Sequence, residues 1–445
     1  MTRLAKLLQP LAVVGALTMI PLTTSSLAAA DASTMKELDT FMDVFNQVRA
    51  NYVDKVDDHV LVKGAIDGML AALDPHSSYM EGNEYTSLRT TTDGNYGGLG
   101  LSVTMEDGAV KVITPTEDTP AFAAGMKAGD YITHIDGQLL YGLELDDAVE
   151  KMRGAPGTKI KLSIVRRGRD KPFDLTITRA KIELRPVKWE IKDGIGIINI
   201  NTFAGNTGAA TEAALTAIDK ATGGKPTGYV IDLRSNPGGL LGEAVRVSDA
   251  FLERGEIVSE RGRDKGDFQS WSAKPGDMAH GLPIIVLVDV GSASAAEIVA
   301  GALQDHRRAI VMGERSFGKG SVQGVQELGT GSALRLTIAR YYTPSGKSVQ
   351  AGGIDPDINV PQLSDPDYKD RPAIREADLR RHLVSQTGVK DEVLEKDNGT
   401  DPRFSVTADE LKKKGIKDFQ LDYAIRTLKR LAPAAAAPSA PARAR

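Results

Sequence analysis

The 445-residue chain contains no cysteine, and this absence excludes several kinds of chemistry. Without thiols there are no disulfides, no zinc-thiolate centres and no cysteine nucleophile. No constellation of residues has metal-ligand spacing, so we expect neither a metal nor a cofactor. The net charge of −4 gives no reason to expect nucleic acid as a partner. The histidines are also few, and none stands in a pattern typical of a Ser-His-Asp site: His59, His76, His134, His280, His306 and His382.

The first thirty residues have the pattern of a cleaved export signal. Arg3 and Lys6 precede an apolar stretch, and Ala28 and Ala30 form a small-residue motif, so we expect cleavage after Ala30. An uncleaved membrane anchor is the alternative, but two prolines interrupt a span of marginal length. An exported chain without cysteine suits the periplasm or the exterior of a bacterium, and membrane association stays open.

The composition and the hydrophobic pattern change several times along the rest of the chain, which predicts a multi-domain α/β protein. Apolar residues at three- and four-residue spacing indicate helices, glycine-rich turns separate short strands, and near-continuous apolar runs such as "GYVIDLR" indicate buried strands. The predicted parts are a signal peptide (1–30), an N-terminal helical region that could dimerise (31–93), a β-rich domain (94–182), an α/β core (183–362), a C-terminal helical region (363–432) and a disordered Ala/Pro tail (433–445).

The stretch "VMGERSFGKGSV" looks at first like a phosphate-binding loop, with Gly313, Gly318 and Lys319 at suitable spacing. Gly320 stands where such a loop needs Ser or Thr to hold magnesium, and the residues that follow read as strands rather than as a helix. Lys319 must therefore serve another purpose.

Two segments of the α/β core share one plan. "GYVIDLRSNPGGLLGEAVRVSDAFL" and "PIIVLVDVGSASAAEIVAGALQD" each run from a strand through a tight loop of small residues into a helix. Such loops leave backbone N–H groups unpaired at the start of the helix, where they favour negative charge. A purely structural role for these glycines is the alternative, but two similar loops in one sheet favour a shared oxyanion site.

The second of these loops offers Ser292 and Ser294 as nucleophiles, and a serine needs a base. In the absence of a suitable histidine, a neutral lysine can serve. Lowering a lysine pKa from about 10.4 to roughly 7.5 takes on the order of 4 kcal/mol of desolvation and local field. Lys319 lies between two glycines and beside Phe317 and Val322, where such burial is feasible. A solvated loop lysine is the alternative reading of this motif alone.

Taken together, "GSASAAEIVAGALQDHRRAIVMGERSFGKGSVQ" and "DLRSNPGG" closely resemble the two signature stretches of the C-terminal processing proteases, also called tail-specific proteases. The resemblance covers nearly the whole mature chain. It implies that Ser294, rather than Ser292, is the nucleophile and that Lys319 is the general base. It also implies that Gln323 orients the lysine by a hydrogen bond. One departure is Ala296, where relatives often carry a third serine that is not the nucleophile.

The resemblance further implies an oxyanion hole formed by the N–H of Ala295 with that of Gly238 or Gly239, and the choice between the two glycines stays open. Asp305 falls on a position that is functional in relatives. We expect it to support the site through a salt bridge or a cap, since the lysine already serves as the base.

The β-rich part resembles a PDZ domain. "GGLGLSV" is similar to the PDZ carboxylate loop, which implies that the amides of Leu99, Gly100 and Leu101 hold the terminal carboxylate of a peptide. The peptide would add as a strand, with its last side chain against Leu99, Leu101 and the helix predicted at 143–153. "AGMKAGDYITHIDGQ" matches a second PDZ stretch. The implied fold is a crotonase-like α/β protease core with an inserted PDZ domain.

The predicted function is that of an exported serine endopeptidase, which recognises substrate C-termini through its PDZ domain and cleaves by a Ser-Lys acyl-enzyme mechanism. Its expected partners are proteins or peptides with free, apolar C-termini and a second copy of the chain, while an adaptor protein stays open. The alternatives are a non-catalytic periplasmic PDZ scaffold or chaperone, and a coenzyme A enzyme of crotonase-like fold. The sequence carries no acidic catalytic pair and no coenzyme A signal for the latter.

Overall fold

The computed structural model describes residues 32–106, 108–329, 331–368, 373–384 and 402–435. The predicted signal peptide at 1–30 lies outside these residues. The chain divides into two compact units, one up to residue 66 and the other from residue 67 onwards. Among the described residues, no helix combines the length and the apolar character needed to cross a bilayer.

The N-terminal region begins with helix α1 (Ala32–Asn51), followed by α2 (Asp58–Ala71). Apolar side chains at helical spacing on α1 remain about half exposed, among them Met35, Leu38 and Phe41. Further along, strand β1 (Ser78–Glu81) precedes helix α3 (Gly82–Asp93). The region expected to be helical thus also contributes a short strand. Its four residues are too few for a helix of their own, and they pair with a strand of the second α/β-core sheet, described below.

The β-rich domain is built on a twisted antiparallel sheet. Its strands lie in the order β3 (Leu101–Glu106), β4 (Ala109–Pro115), β5 (Tyr131–Ile135), β7 (Lys159–Val165) and β8 (Phe173–Thr178), with β6 (Gln138–Leu139) paired to β5. Alternate residues of β7 point inward, so Ile160, Leu162 and Ile164 enter the core. Helices α4 (Pro120–Ala123) and α5 (Leu145–Met152) cover the sheet.

The chain enters and leaves this domain along two adjacent strands. β2 (Asn95–Gly98) pairs antiparallel with β9 (Ala180–Glu183), so the ends of the domain lie side by side. This arrangement is the one expected of a domain inserted into a longer chain.

The α/β core contains a sheet with the strand order β10 (Val187–Lys192), β11 (Ile195–Ile200), β12 (Gly228–Asp232), β15 (Ile284–Val288), β16 (Ile310–Gly313) and β19 (Ile358–Asn359). β10 is antiparallel to β11, and the other neighbours are parallel. All residues of β12 and β15 are buried, as the continuous apolar runs predict. Helices α6 (Thr207–Ala221), α7 (Leu241–Asp249) and α8 (Ala295–Asp305) connect these strands.

A second sheet lies beside this core. Its central strand β18 (Ser332–Tyr342) pairs antiparallel with β1, with β13 (Gly255–Arg261) and with β17 (Ser321–Glu327), and β14 (Phe268–Ala273) pairs with β13. Strand β17 carries a register shift between Val322 and Gln323. Such a bulge turns a side chain out of the regular alternation.

The C-terminal region, expected to be helical, has no α-helix in its described residues 373–384. It has a 3-10 turn at Glu376–Asp378, another at Pro402–Phe404, helix α9 (Ala408–Lys413) and helix α10 (Phe419–Ala435). Leu428 of α10 is buried against the main sheet. α10 extends into the first residues of the predicted tail because alanine favours helix, and residues 436–445 lie outside the described part. The predicted multi-domain α/β architecture with a β-rich insertion is confirmed.

Candidate active site

The two strand–loop–helix segments meet at one edge of the main sheet. β12 and β15 are neighbouring parallel strands, so the loops that follow them lie side by side. The Ala293 amide donates to the carbonyl of Asn236 at 2.9 Å and joins the two loops. A Cβ on Gly238 would lie 2.8 Å from the Cβ of Ser294 and 3.0 Å from the Ala295 nitrogen. This close approach requires glycine at position 238.

The two candidate serines have different surroundings. The side chain of Ser292 is fully buried, and its hydroxyl donates to the carbonyl of Leu233 at 2.8 Å while it accepts from the Asp289 amide at 2.9 Å. Ser294 is only partly buried and stands at the N-cap of α8 with φ +54°. A left-handed backbone is rare outside glycine and is often found at functional sites. The two serines thus differ: the Ser292 hydroxyl is held in buried hydrogen bonds, whereas Ser294 is partly exposed at the start of α8.

The glycine loop distinguishes its two candidate oxyanion donors. The Gly238 amide donates to Oδ1 of Asn236 at 2.8 Å, so it already has an acceptor within the loop. Within the described residues, the amides of Gly239 and Ala295 have no acceptor. Two unpaired donors beside the start of α8 suit a developing negative charge.

Glu297 links the loop that carries Ser294 to the loop that carries Lys319. Its fully buried carboxylate accepts from the amides of Ser294 at 2.7 Å and Lys319 at 2.9 Å through one oxygen. The other oxygen accepts from the Gly318 amide at 2.7 Å and the Ser316 hydroxyl at 2.5 Å. Burial raises the pKa of Glu297 to about 7, against the opposing effect of these donors. The sequence reasoning missed Glu297, although Ser294 and Glu297 have the spacing of a capping box.

The amine of Lys319 belongs to a partly buried side chain in the loop between β16 and β17. It donates a hydrogen bond to Oε1 of Gln323, on the bulge of β17. Burial lowers the pKa of Lys319 from its usual 10.5 to about 8. This net pKa already includes a smaller lowering by the Arg335 cation and the opposing effect of three carboxylates: Glu376, Glu297 and Asp74. Such a lysine is neutral in a useful fraction of molecules near neutral pH.

Tyr341 occupies the space between the serine and the lysine loop. Its phenol donates to the carbonyl oxygen of Lys319 and interacts with the side chain of Ser294. Burial raises the pKa of Tyr341 well above its usual value, so the phenol stays protonated. No hydrogen bond joins the Lys319 amine to Ser294 among the described residues. Tyr341 is a site residue that no local motif in the sequence indicates.

Asp305 lies apart from the serine and the lysine. It is the exposed last residue of α8, and its Oδ2 accepts from the Ser345 amide at 2.9 Å. It therefore fixes the turn that follows β18, the strand that carries Tyr341. Within the described residues no hydrogen bond or ion pair links Asp305 to Ser294 or Lys319, and its support of the site stays a prediction.

The predicted carboxylate loop of the β-rich domain has Leu99 buried in the domain core with Met152 of α5, while Leu101 is partly buried at the start of β3. In the described part of the chain, the amides of Leu99 and Gly100 have no acceptor. Gly100 has φ +77°, and a Cβ there would lie 2.4 Å from Thr119. The loop thus keeps free amides on a backbone that requires glycine.

Three family models match this chain. Peptidase family S41 matches residues 194–360, which include both loops and the lysine. A PDZ domain matches residues 97–177, and the N-terminal domain of the activating protease CtpB matches residues 20–84.

Two curated relatives agree with these matches. The chain is 50% identical over 355 residues to a carboxy-terminal-processing protease of Bartonella bacilliformis, covering 79% of this chain and 82% of that protein. It is 35% identical to the carboxy-terminal processing protease CtpA of Bacillus subtilis, covering 81% and 76%. A solved structure of a photosystem II D1 C-terminal processing protease is 31% identical to this chain. The match spans 72% of this chain and 92% of the solved chain, with a TM-score of 0.42. The chain belongs to peptidase family S41, among the carboxy-terminal processing proteases with a PDZ domain.

Proposed function

We propose that this protein is an exported serine endopeptidase in which Ser294 is the nucleophile and Lys319 the general base. The observation that carries the proposal is the Glu297 carboxylate, which draws the amides of both residues onto one oxygen. The lowered pKa of Lys319 supports the base role because a protonated amine cannot accept the serine proton.

The neutral Lys319 amine takes the proton of the Ser294 hydroxyl as the serine oxygen attacks the peptide carbonyl. The carbonyl oxygen becomes negative, and the amides of Gly239 and Ala295 stabilise it. The lysine then gives its proton to the departing amine, which leaves an acyl-enzyme on Ser294. Water, deprotonated by the same lysine, releases the acid product. For the first step, the Ser294 hydroxyl turns from Tyr341 towards the lysine amine.

Gln323 orients the lysine through its amide oxygen, and Asp305 holds the turn after β18. We therefore propose that Gln323 orients the catalytic base directly, and that Asp305 supports the site indirectly by holding this turn. The proposed domain limits are those predicted from the sequence, with the protease core at 183–362 and the PDZ domain at 94–182.

The PDZ domain is proposed to bind the substrate's C-terminus. A peptide would add as a strand beside β3, and its carboxylate would meet the amides of Leu99, Gly100 and Leu101. The free amides of the loop support this role. The buried Leu99 and the partly buried Leu101 favour an apolar last residue. Proteins and peptides with such ends are the proposed substrates.

Export is proposed from the pattern of residues 1–30, and a homodimer from the exposed apolar face of α1. Half-exposed Met35, Leu38 and Phe41 form a stripe that a second copy would cover. The periplasm or the cell exterior is the proposed location.

The test of the catalytic proposal compares three single variants in a protein-degradation assay, with thermal unfolding as the control for folding. Ser294→Ala and Lys319→Ala are expected to abolish cleavage because each removes a reacting group. Ser292→Ala is expected to retain substantial activity, although the loss of its buried hydrogen bonds costs about 1–3 kcal/mol of stability. An inactive, folded Ser292→Ala with an active Ser294→Ala would refute the assignment.

A further inference from the structure

A line of hydrogen bonds extends from the Lys319 amine to a residue far away in the chain. The Gln323 amide, which accepts from the lysine, donates through Nε2 to the hydroxyl of Thr337 at 3.3 Å. The Thr337 hydroxyl donates to Oδ1 of Asp74 at 3.1 Å. Ser321 also accepts from Nε2 of Gln323, at 3.0 Å. The base is thus connected to a buried carboxylate that the catalytic steps above do not use.

The chemistry of the end residue sets the direction of every bond in this line. An ionised carboxylate only accepts, so the Thr337 hydroxyl must direct its hydrogen towards Asp74. The remaining lone pairs of that hydroxyl then accept from the NH₂ end of Gln323. This orientation presents Oε1 to Lys319, and the amine must donate to it. The lone pair of the neutral amine is left for the proton of Ser294.

Asp74 is held firmly enough to impose this direction. Its carboxylate accepts from the His76 amide at 2.8 Å, the Ser77 amide at 2.9 Å and the Ser77 hydroxyl at 2.8 Å. Burial tends to raise the pKa of Asp74, but these donors and Thr337 outweigh it and keep the pKa below its usual value. The same turn is fastened to β18, because the Thr337 amide donates to the Ser77 hydroxyl at 3.1 Å.

We propose that Asp74 and Thr337 are positioning residues for the catalytic base, acting through Gln323. The turn at residues 74–77, which precedes β1, is thus part of the catalytic apparatus rather than only the end of a helical region. The inference rests on the proposed function and adds two residues from distant parts of the chain to the same site.

The test uses Thr337→Val, which keeps the shape of the side chain and removes the hydroxyl. Because Ser321 still holds one hydrogen of the Gln323 amide, we expect a partial loss, with kcat about 5- to 20-fold lower and KM unchanged. Thr337→Ser restores the hydroxyl and is expected to recover most of the activity. Thr337→Val together with Ser321→Ala is expected to lose more than either change alone, because Gln323 then has no anchor.

A double-mutant cycle separates positioning from a general structural role. On a background of Gln323→Ala, Thr337→Val is expected to have no further effect on kcat, because the residue it positions is gone. Equal losses in both backgrounds, full activity of Thr337→Val, or no recovery by Thr337→Ser would overturn the inference. Thermal unfolding of each variant shows whether the fold is kept.

Failure of this inference and failure of the proposed function give different results. If the unmodified protein neither degrades protein nor forms a fluorophosphonate adduct on Ser294, the proposed function is wrong. If it does both, and Thr337→Val reacts with the fluorophosphonate at the unmodified rate, only the positioning role is wrong.

Discussion

Replacing Lys319 by methionine is expected to abolish proteolysis and to change the pH dependence of stability in a defined direction. Burial lowers the lysine pKa from 10.5 to about 8, and each pKa unit corresponds to about 1.4 kcal/mol. At pH values where Lys319 is protonated in both the folded and the unfolded protein, burial of its charge therefore destabilises the folded state by about 3 kcal/mol. Methionine has a similar length and carries no charge to bury.

The sign follows from proton binding. The folded-state pKa is depressed, so between pH 8 and 10.5 the unfolded state binds more protons and the stability of the unmodified protein rises with pH. The penalty is absent above pH 10.5, grows as the pH falls towards 8 and is complete below it. From pH 7 to pH 9, the unmodified protein is expected to gain about 1 kcal/mol relative to Lys319→Met. The lost hydrogen bond to Gln323 adds a penalty for the variant that does not depend on pH in this range.

The assay is urea unfolding of both proteins at pH 7 and pH 9, followed by circular dichroism. The difference between the two proteins cancels the titration of groups that they share. Parallel behaviour of the two proteins across this range would mean that Lys319 has an ordinary pKa, and the reasoning for a buried base would be refuted.

Four further predictions concern activity. Cleavage is expected to rise about tenfold from pH 7 to pH 9 with a midpoint near 8, as the neutral fraction of Lys319 grows; a flat profile would contradict the base role. EDTA is expected to have no effect, and inhibition that zinc reverses would count against a Ser-Lys mechanism. Glu297→Gln is expected to lower kcat at least about tenfold, because its amide NH₂ would face N–H donors. An unchanged kcat would contradict the role of Glu297 in holding the two loops together. Amidating a substrate's C-terminus is expected to reduce cleavage sharply, since a carboxylate forms stronger hydrogen bonds than a neutral group, while a short unanchored peptide serves as the control.

The sequence predicts the parts of this site that depend on local pattern. Parallel buried strands place their following loops at one sheet edge, so the meeting of Ser294 with the glycine loop is predictable. The choice between Gly238 and Gly239 is not, because it depends on whether the Asn236 side chain occupies one of the two amides.

Residues that act over long separations also escape prediction. Asp74 and Thr337 are 263 positions apart, and they meet only because a short strand in the N-terminal region pairs with β18. Tyr341 reaches Ser294 from a strand whose pattern indicates only alternation. Pairing between strands that are distant in the sequence brings these side chains together, and no short sequence motif predicts that pairing.

The central claim is that Ser294 is a nucleophile activated by Lys319, and the most direct measurement is the rate and location of fluorophosphonate labelling. The protein, Lys319→Ala and Ser294→Ala would each be labelled between pH 6 and pH 10, and the adduct located by peptide mass mapping. The account predicts one adduct on Ser294, formed at a rate that follows an ionisation near pH 8, much slower in Lys319→Ala and absent in Ser294→Ala. An adduct on Ser292, or an equal labelling rate in Lys319→Ala, would contradict it.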